Sequence, residues 1–209
     1  MDTPKIIIIG AGLGGLECGY LLSKQGFNII VVEQAPQVGG CLQSFQRKGQ
    51  RFDTGFHYVG GLGEGEILHQ FFAELDLLHL PWIPLDAECF DEIFLDGERF
   101  HFANGYDNFT NVLAERFPQQ RQNLAQYTEM LRRSQNGLTD FGSFGASSST
   151  ETLLNTSAYQ YLQQHIHDEK LRKVLSATSL KMDLQSETLP LYIFAQINGT
   201  FVQSAWRLR

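Results

Sequence analysis

The sequence is poor in cysteine and has no excess of positive charge, and each shortage excludes a class of protein. Its three cysteines are widely spaced and form no CxxC pair, so neither a disulfide framework nor a zinc site is indicated. We interpret Cys18, Cys41 and Cys89 as free thiols. The net charge is −7 and the cations form no stripe, so we expect no nucleic-acid partner.

Long apolar runs are also missing. No segment approaches the roughly 20 apolar residues that cross a bilayer, and the first apolar run ends in a glycine turn instead of a cleavage site. We therefore predict a cytoplasmic protein, and a peripheral contact with a membrane stays open. His165 and His167 are two residues apart and point to different faces of a helix, so we predict no metal site.

What the sequence does contain is a strand, glycine turn, helix and second strand between Lys5 and Glu33. Ile6 to Ile9 form the short apolar run typical of a strand buried on both faces of a parallel sheet. The glycine-rich turn follows at once, with the sequence Gly10-Ala11-Gly12-Leu13-Gly14-Gly15.

Each part of this pattern has a physical role at a dinucleotide. Gly10 permits the tight turn, Gly12 lets the backbone approach a pyrophosphate, and Gly15 lets the helix lie close to the strand. A helix predicted from Leu13 to Gln25 aims its N-terminal N–H groups at the phosphates. Glu33 ends the second strand, where a ribose diol would be held. The alternative is a purely structural glycine turn.

After Glu33 the sequence departs from a plain NAD domain. Instead of another helix it has a loop, residues 34–40, that ends in a glycine pair. Two short strands are predicted next, Cys41 to Arg47 and Gln50 to Asp53, around Lys48-Gly49. Gly55 to Gly61 then form a second glycine-framed loop that carries aromatic residues.

The run EQAPQVGGCLQSFQRKGQRFDTGFHYVGG, together with GAGLGG, resembles a known family. It is similar to the FAD-binding head of the phytoene desaturase, carotenoid isomerase and all-trans-retinol 13,14-reductase group within the amine-oxidase-like flavoproteins. The resemblance implies that Glu33 binds the adenosine ribose, that Gly39-Gly40 pass the pyrophosphate, and that Gly55 to Tyr58 lie near the flavin ring. Many amine-oxidase relatives have arginine where this chain has Cys41, so the resemblance supports no side-chain phosphate contact there.

The predicted cofactor is FAD, and His57 is the one candidate for a catalytic role near the flavin ring. A hydrogen bond that merely fixes the loop is the alternative role for His57, because histidine can do either near neutral pH. The predicted cofactor-binding residues are Gly10, Ala11, Gly12, Leu13, Gly14, Gly15, Glu33, Gln34, Gly39, Gly40, Cys41, Gly55, Phe56, His57 and Tyr58.

The rest of the chain loses the nucleotide-fold rhythm and predicts a mixture of helices and a hairpin. Asp96-Gly97 is a strong hairpin turn, Pro118 ends one helix, and Asp168 caps another whose inner face carries Leu171, Val174 and Leu175. The predicted helices are 66–78, about 109–117, 119–133, 158–165 and the helix capped by Asp168. The predicted hairpin strands are 87–95 and 98–102. Residues 136–150 are predicted to be a mobile loop, and residues 192–197 could supply one more strand.

These features predict an α/β protein, with a Rossmann-like FAD-binding βαβ head (1–63) followed by a mixed α+β substrate or cap domain (64–209), truncated. Only two parallel strands are clear, so we expect an incomplete sheet. The resemblance implies an FAD-dependent oxidoreductase that transfers hydride between flavin and a carbon–carbon bond of an apolar isoprenoid or polyene small-molecule substrate. Two alternatives are a non-catalytic dinucleotide-binding module and an NAD-dependent dehydrogenase, the latter disfavoured by the glycine pair. The sequence leaves the direction of the reaction and the oligomeric state open.

Overall fold

A computed structural model describes residues 5–135, 148–182 and 187–209. The chain divides into two compact units, one formed by Met1–Tyr58 with Gln70–Leu80 and the other by Val59–His69 with Pro81–Arg209. The domain boundary expected between residues 63 and 64 stays a prediction. Of the predicted mobile loop, residues 136–147 lie outside the described residues.

In the described residues short strands predominate up to Phe102, and helices follow one another from Tyr106 to Gln203 before the last strand. The strands are β1 (Lys5–Ile9), β2 (Asn28–Val32), β3 (Ser44–Arg47), β4 (Gln50–Asp53), β5 (Val59–Gly60), β6 (Trp82–Pro84), β7 (Asp91–Leu95), β8 (Glu98–Phe102) and β9 (Ala205–Leu208). The helices are α1 (Leu13–Lys24), α2 (Ile67–Glu74), α3 (Tyr106–Arg116), α4 (Arg121–Gln135), α5 (Ser148–Asn155), α6 (Ala158–His165), α7 (Glu169–Ser176) and α8 (Leu191–Gln203).

The first unit begins with the predicted βαβ arrangement. β1 and β2 pair in parallel, with Lys5 opposite Asn28 and Ile9 opposite Val32. Helix α1 covers one face of this pair. A Cβ at Gly19 would lie 3.4 to 3.5 Å from side-chain carbons of Ile8, Ile29 and Val31, so the glycine lets the helix approach the strands.

The opposite face of β1 is open, contrary to the expectation of a strand buried on both faces. Ile7 is 63% exposed and Ile9 is 89% exposed. The reason is that the parallel sheet consists of two strands, and in the described residues α1 packs on one side of it only. The predicted incomplete sheet is confirmed.

A tight antiparallel hairpin, β3–β4, follows in the same unit. Its turn residues Lys48 and Gly49 both have positive φ angles, 51° and 77°, as a two-residue type I′ turn requires. β3 begins at Ser44 and not at Cys41, because Gly40–Leu42 form a 3₁₀ turn. On one face of the hairpin the rings of Phe45 and Phe52 stack with centroids 5.3 Å apart.

The second unit contains a sheet that sequence patterns did not reveal. β9 lies between β5 and β6 and pairs antiparallel with both, so the last described strand joins two early ones. β7 and β8 form the predicted hairpin, whose turn residues Asp96 and Gly97 have φ angles of 53° and 81°. β7 starts at Asp91, four residues later than the predicted start at Ala87.

Helices α3, α4 and α8 carry the core of the second unit. Buried rings form a continuous chain of contacts, from Phe102 to Phe109 (centroids 5.0 Å apart), to Tyr127 (6.3 Å) and to Phe194 (6.4 Å). Pro118 follows the end of α3, as predicted. These phenylalanines are therefore core residues.

The N-cap of α7 is also confirmed. The side chain of Asp168 accepts a hydrogen bond of 2.8 Å from the backbone N–H of Leu171. Leu171, Val174 and Leu175 are all buried, which places the predicted apolar face inside the unit.

Two further predicted elements differ from the structure. Residues 192–197, considered as a strand, belong to helix α8, whose buried positions 191, 194, 195, 198, 199 and 202 follow a helical period. Helix α2 ends at Glu74 and not at Leu78, because Asp76 takes a positive φ of 56° that a helix cannot include.

Gly15 is where α1 comes closest to β1, and we expect it to be essential for stability. A Cβ at Gly15 would lie 2.0 Å from the carbonyl oxygen of Gly10, which is backbone and cannot move aside cheaply. Gly15→Ala should destabilise the chain by about 1–3 kcal/mol. A Cβ at Gly14 meets nothing within 4 Å, so Gly14→Ala in the same helical turn is the matched control and should be neutral or stabilising. Thermal unfolding followed by circular dichroism compares the two, and equal melting temperatures would contradict the close approach.

Candidate functional site: the dinucleotide turn

The turn between β1 and α1 leaves backbone open to a ligand. Gly10 ends β1 with a φ of 102°, which favours glycine, and its N–H donates to the carbonyl of Val32 at 2.7 Å. Gly12 is the N-cap of α1, and a Cβ there would meet nothing within 4 Å. Glycine at position 12 is thus not required by packing, whereas a phosphate approaching the helix N-terminus does require it.

The glycine-pair loop folds back onto this turn. The N–H of Gly39 donates to the carbonyl oxygen of Ala11 at 2.7 Å. A Cβ at Gly40 would lie 3.1 Å from the Cα of Gly12. Gly39 and Gly40 both have positive φ angles, 110° and 56°, so the loop depends on glycine for its shape as well as for its closeness. The structure therefore brings the two predicted glycine motifs together.

Glu33 closes the same site from the end of β2. Its carboxylate accepts a hydrogen bond from the N–H of Ala11 at 2.7 Å and another from the N–H of Ala35 at 2.8 Å. These bonds, that from Ala35 first, hold the pKa of Glu33 below its ordinary value of 4.5. The group is consequently a carboxylate at neutral pH, and its remaining acceptor positions are open to a ligand.

A third segment is tied to the loop after the glycine pair. The hydroxyl of Thr54 donates to the carbonyl of Cys41 (2.9 Å) or of Gln43 (2.7 Å), and a Cβ at Gly55 would lie 3.0 Å from the carbonyl oxygen of Cys41. The predicted residue Gly55 is thereby held next to the predicted residue Cys41, whose side chain is exposed.

The remaining predicted residues range from exposed to half-buried. Leu13 and Gln34 are exposed, Phe56 and Tyr58 are half-buried, and the side chain of His57 is exposed. The role of residues 55–58 beside a flavin ring stays a prediction. Sequence reasoning missed Ala35 and Thr54, which hold the site through a backbone N–H and a hydroxyl. Thr54 could have been recognised from the sequence, because a threonine next to Gly55 can donate a hydrogen bond to nearby backbone. Ala35 could not, because a contact made by its backbone N–H does not depend on the residue type.

The ring of His165 makes its contacts within its own helix, α6. The ring of His165 stacks on Tyr161 with centroids 4.2 Å apart, and its Nδ1 lies 2.9 Å from the Tyr161 carbonyl. Within residues 5–135, 148–182 and 187–209 no three potential metal ligands cluster. None of the helices in these ranges combines the length and apolarity needed to cross a bilayer.

Comparison with known proteins agrees with the turn geometry. Residues 8–75 match the family model of an NAD(P)-binding Rossmann-like domain. The all-trans-retinol 13,14-reductase of Rattus norvegicus is 32% identical over 137 residues, which is 64% of this chain and 22% of that protein. A 4,4'-diapophytoene desaturase of Methylomonas is 28% identical over 181 residues, which is 82% of this chain and 35% of that protein. This chain is therefore similar in sequence to these reductases and desaturases over part of their length.

The resemblance predicted from the sequence is therefore confirmed, although the match spans only a minor part of each relative's length. Because the Rossmann-like match includes both glycine motifs and Glu33, it indicates a dinucleotide cofactor. The relatives' names describe oxidoreductases, one acting on retinol and the other forming 4,4'-diapolycopene.

Solved structures show the same fold. An oxidoreductase from Methanosarcina mazei has a TM-score of 0.62 at 21% identity and covers 97% of this chain, which corresponds to 45% of that chain. Cyclohexylamine oxidase from Brevibacterium oxydans has a TM-score of 0.58 at 20% identity and covers 99% of this chain and 46% of its own. The predicted α/β class with a Rossmann-like head is confirmed.

Gly12→Val tests the turn as a phosphate site. The valine Cβ meets no protein atom, and the φ of −76° at this position suits a side chain, so the variant should fold normally. Its branched side chain would nevertheless occupy the path of a pyrophosphate, and dinucleotide binding should fall below detection. Circular dichroism and equilibrium dialysis measure folding and binding separately. Normal folding with unchanged binding would mean that the turn holds no phosphate.

Glu33→Ala should weaken dinucleotide binding by roughly ten- to a hundredfold, because charge-assisted hydrogen bonds of this kind are worth about 1.5–3 kcal/mol. Glu17→Ala, which removes one carboxylate from α1, is the control for net charge and should leave binding unchanged.

The lowered pKa of Glu33 gives this interaction a pH dependence. The contribution of its carboxylate to holding the turn is fully present above pH 4.5 and is lost only as the pH falls through the lower folded-state value. Binding by the parent chain that already weakens between pH 7 and 5, with no such change in Glu33→Ala, would contradict this assignment.

Proposed function

We propose that this chain is the FAD-binding part of an oxidoreductase that acts on carbon–carbon bonds of an apolar isoprenoid or polyene substrate. The observation that carries the proposal is the contact between the two glycine loops, in which Gly39 donates to Ala11 and Gly40 lies against Gly12. A second backbone segment beside the phosphate turn is what a longer dinucleotide with a flavin at its end would contact. A nucleotide domain for NAD has no need of it.

The residues present fit the adenosine and pyrophosphate part of FAD. The helix N-terminus at Gly12 offers free N–H groups, and the first turn of α1 contains no acidic residue. Glu33 keeps acceptor positions for a ribose diol and would repel a 2′-phosphate, so NADP should not compete at this turn. The glycine pair leaves backbone where the pyrophosphate would pass.

When bound, a flavin supplies the redox chemistry in its own ring, and the protein's work is to hold, orient and shield it. In this chain Gly12, Gly39-Gly40 and Glu33 would bind the dinucleotide. The segment from Gly55 to Tyr58, held at Thr54 by Cys41 and Gln43, would lie toward the ring. No further acid–base pair is needed for hydride chemistry in the flavin itself.

The substrate class rests on the relatives. Retinol, which the name of the rat reductase includes, is an apolar polyene alcohol, and the name of the Methylomonas desaturase refers to a carotenoid precursor. Within this chain the buried phenylalanines from residue 100 to residue 109 form a core, so they give no independent evidence for a substrate channel.

The description of the matching family as NAD(P)-binding favours a second candidate, an NAD-dependent dehydrogenase. Titrating the purified chain with FAD and with NADH in separate cells distinguishes the two. We expect saturable perturbation of the flavin absorbance, abolished by Gly12→Val, and no response to NADH. Binding of NADH but not FAD would overturn the flavin proposal and favour the dehydrogenase.

The predicted position of His57 near the flavin gives a further prediction. His57→Ala should leave FAD bound but shift its absorbance maximum or its reduction potential, because a ring-side imidazole changes the electrostatics that the flavin experiences. His79→Ala, which removes another exposed histidine of the first unit, is the control. An identical spectrum and potential in the two variants and the parent would indicate that His57 only supports the loop.

A further inference from the structure

The β3–β4 hairpin combines two features that are uncommon on the surface of an acidic protein. The stacked rings of Phe45 and Phe52 are 49% and 46% exposed. Around the turn stand three cations, Arg47, Lys48 and Arg51, in a chain whose net charge is −7. The one carboxylate of the hairpin is Asp53, at its base.

The cations are available for an external partner. In the described residues no carboxylate forms an ion pair with any of the three, and all are exposed. Arg51 donates from Nε to the hydroxyl of Ser44, which leaves its charge uncompensated.

The register of the hairpin places aromatic and basic groups on one face. Phe45 pairs with Phe52, and Arg47 pairs with Gln50 two positions farther along, so these four side chains share a face. Ser44, Asp53 and Arg51 belong to the opposite face, which keeps the carboxylate away from the rings. Lys48 stands at the tip, where a long side chain can reach a surface on either side.

We propose that the β3–β4 hairpin docks the protein on an anionic lipid surface, with Phe45 and Phe52 entering the headgroup region and Arg47 and Lys48 contacting lipid phosphates. Charge complementarity carries the choice of partner, since an apolar surface meant for burial against protein would not need three uncompensated cations. Aromatic rings beside cations match the surface of an anionic membrane, where negatively charged headgroups cover an apolar interior. The proposal does not depend on the cofactor.

The turn offers a substitution that removes charge without weakening the hairpin. Lys48 has a φ of 51° and precedes Gly49, and Asn-Gly is the preferred pair for such a turn. Lys48→Asn should therefore keep or improve the hairpin while deleting a cation. Combined with Arg47→Gln it removes two charges, and Arg207→Gln with Arg209→Gln removes two exposed cations elsewhere as a matched control.

The test is flotation of the chain with vesicles of phosphatidylcholine alone and with vesicles that also contain phosphatidylserine. The parent should bind the anionic vesicles and lose affinity as salt rises. Because each cation near such a surface contributes about fivefold, the Arg47/Lys48 double variant should bind about 25-fold more weakly. The Arg207/Arg209 control should match the parent. Equal binding of the two double variants would overturn the assignment to the hairpin.

The aromatic contribution needs a separate measurement. Phe52→Trp should show a blue-shifted emission on anionic vesicles, beyond any change from the two native tryptophans. Phe45→Ser with Phe52→Ser should weaken vesicle binding at least about tenfold, since two rings would no longer be buried in the headgroup region. If heparin bound as tightly as vesicles and independently of the phenylalanines, the hairpin would be a general polyanion site and the lipid proposal wrong. A dimer in solution that the serine variant dissociates, with no vesicle binding by the parent, would show that the rings contact a second copy instead.

Discussion

The backbone of Ala11 is the point on which the candidate site depends. Its N–H donates to the carboxylate of Glu33 and its carbonyl accepts from Gly39, each at 2.7 Å, while the residue itself is only 1% exposed. The backbone of one buried residue therefore joins the end of β2, the turn after β1 and the glycine-pair loop. Three segments that are separate along the chain are thus held together by the Glu33 carboxylate on one side of Ala11 and by the N–H of Gly39 on the other.

The first unit differs from the second in how completely it is covered. Its parallel pair β1–β2 has one open face with exposed isoleucines, whereas the second unit buries a continuous chain of aromatic rings between α3, α4 and α8. Exposed apolar sheet of this kind is typical of surfaces that bind another segment, subunit or membrane. The cofactor turn is thus built on the less covered of the two units, where binding energy can also contribute to order.

The two proposed surfaces of the first unit use different physics. The turn presents backbone N–H groups and a single carboxylate, which select a dinucleotide by geometry and by the sign of one charge. The β3–β4 hairpin presents rings and uncompensated cations, which select a surface by its charge density and apolar depth. Since the glycine pair leads directly into the hairpin through the 3₁₀ turn at Gly40–Leu42, the two proposed surfaces are adjacent segments of one chain.

Local patterns in the sequence were sufficient for the β1–turn–α1–β2 head, the hairpin at Asp96-Gly97 and the cap at Asp168, because each depends on residues a few positions apart. The spacing of the glycine turn also indicated Gly15, whereas the glycine pair was indicated by the family resemblance. Tertiary structure decided what depends on distant residues: the pairing of β9 with β5 and β6, and the contact of Glu33 with Ala11. It also placed residues 192–197 in a helix, since the period of that segment shows only once its burial against α4 is known. Apolar residues can suit a strand or a helix equally, and it is the partner surface that selects between them.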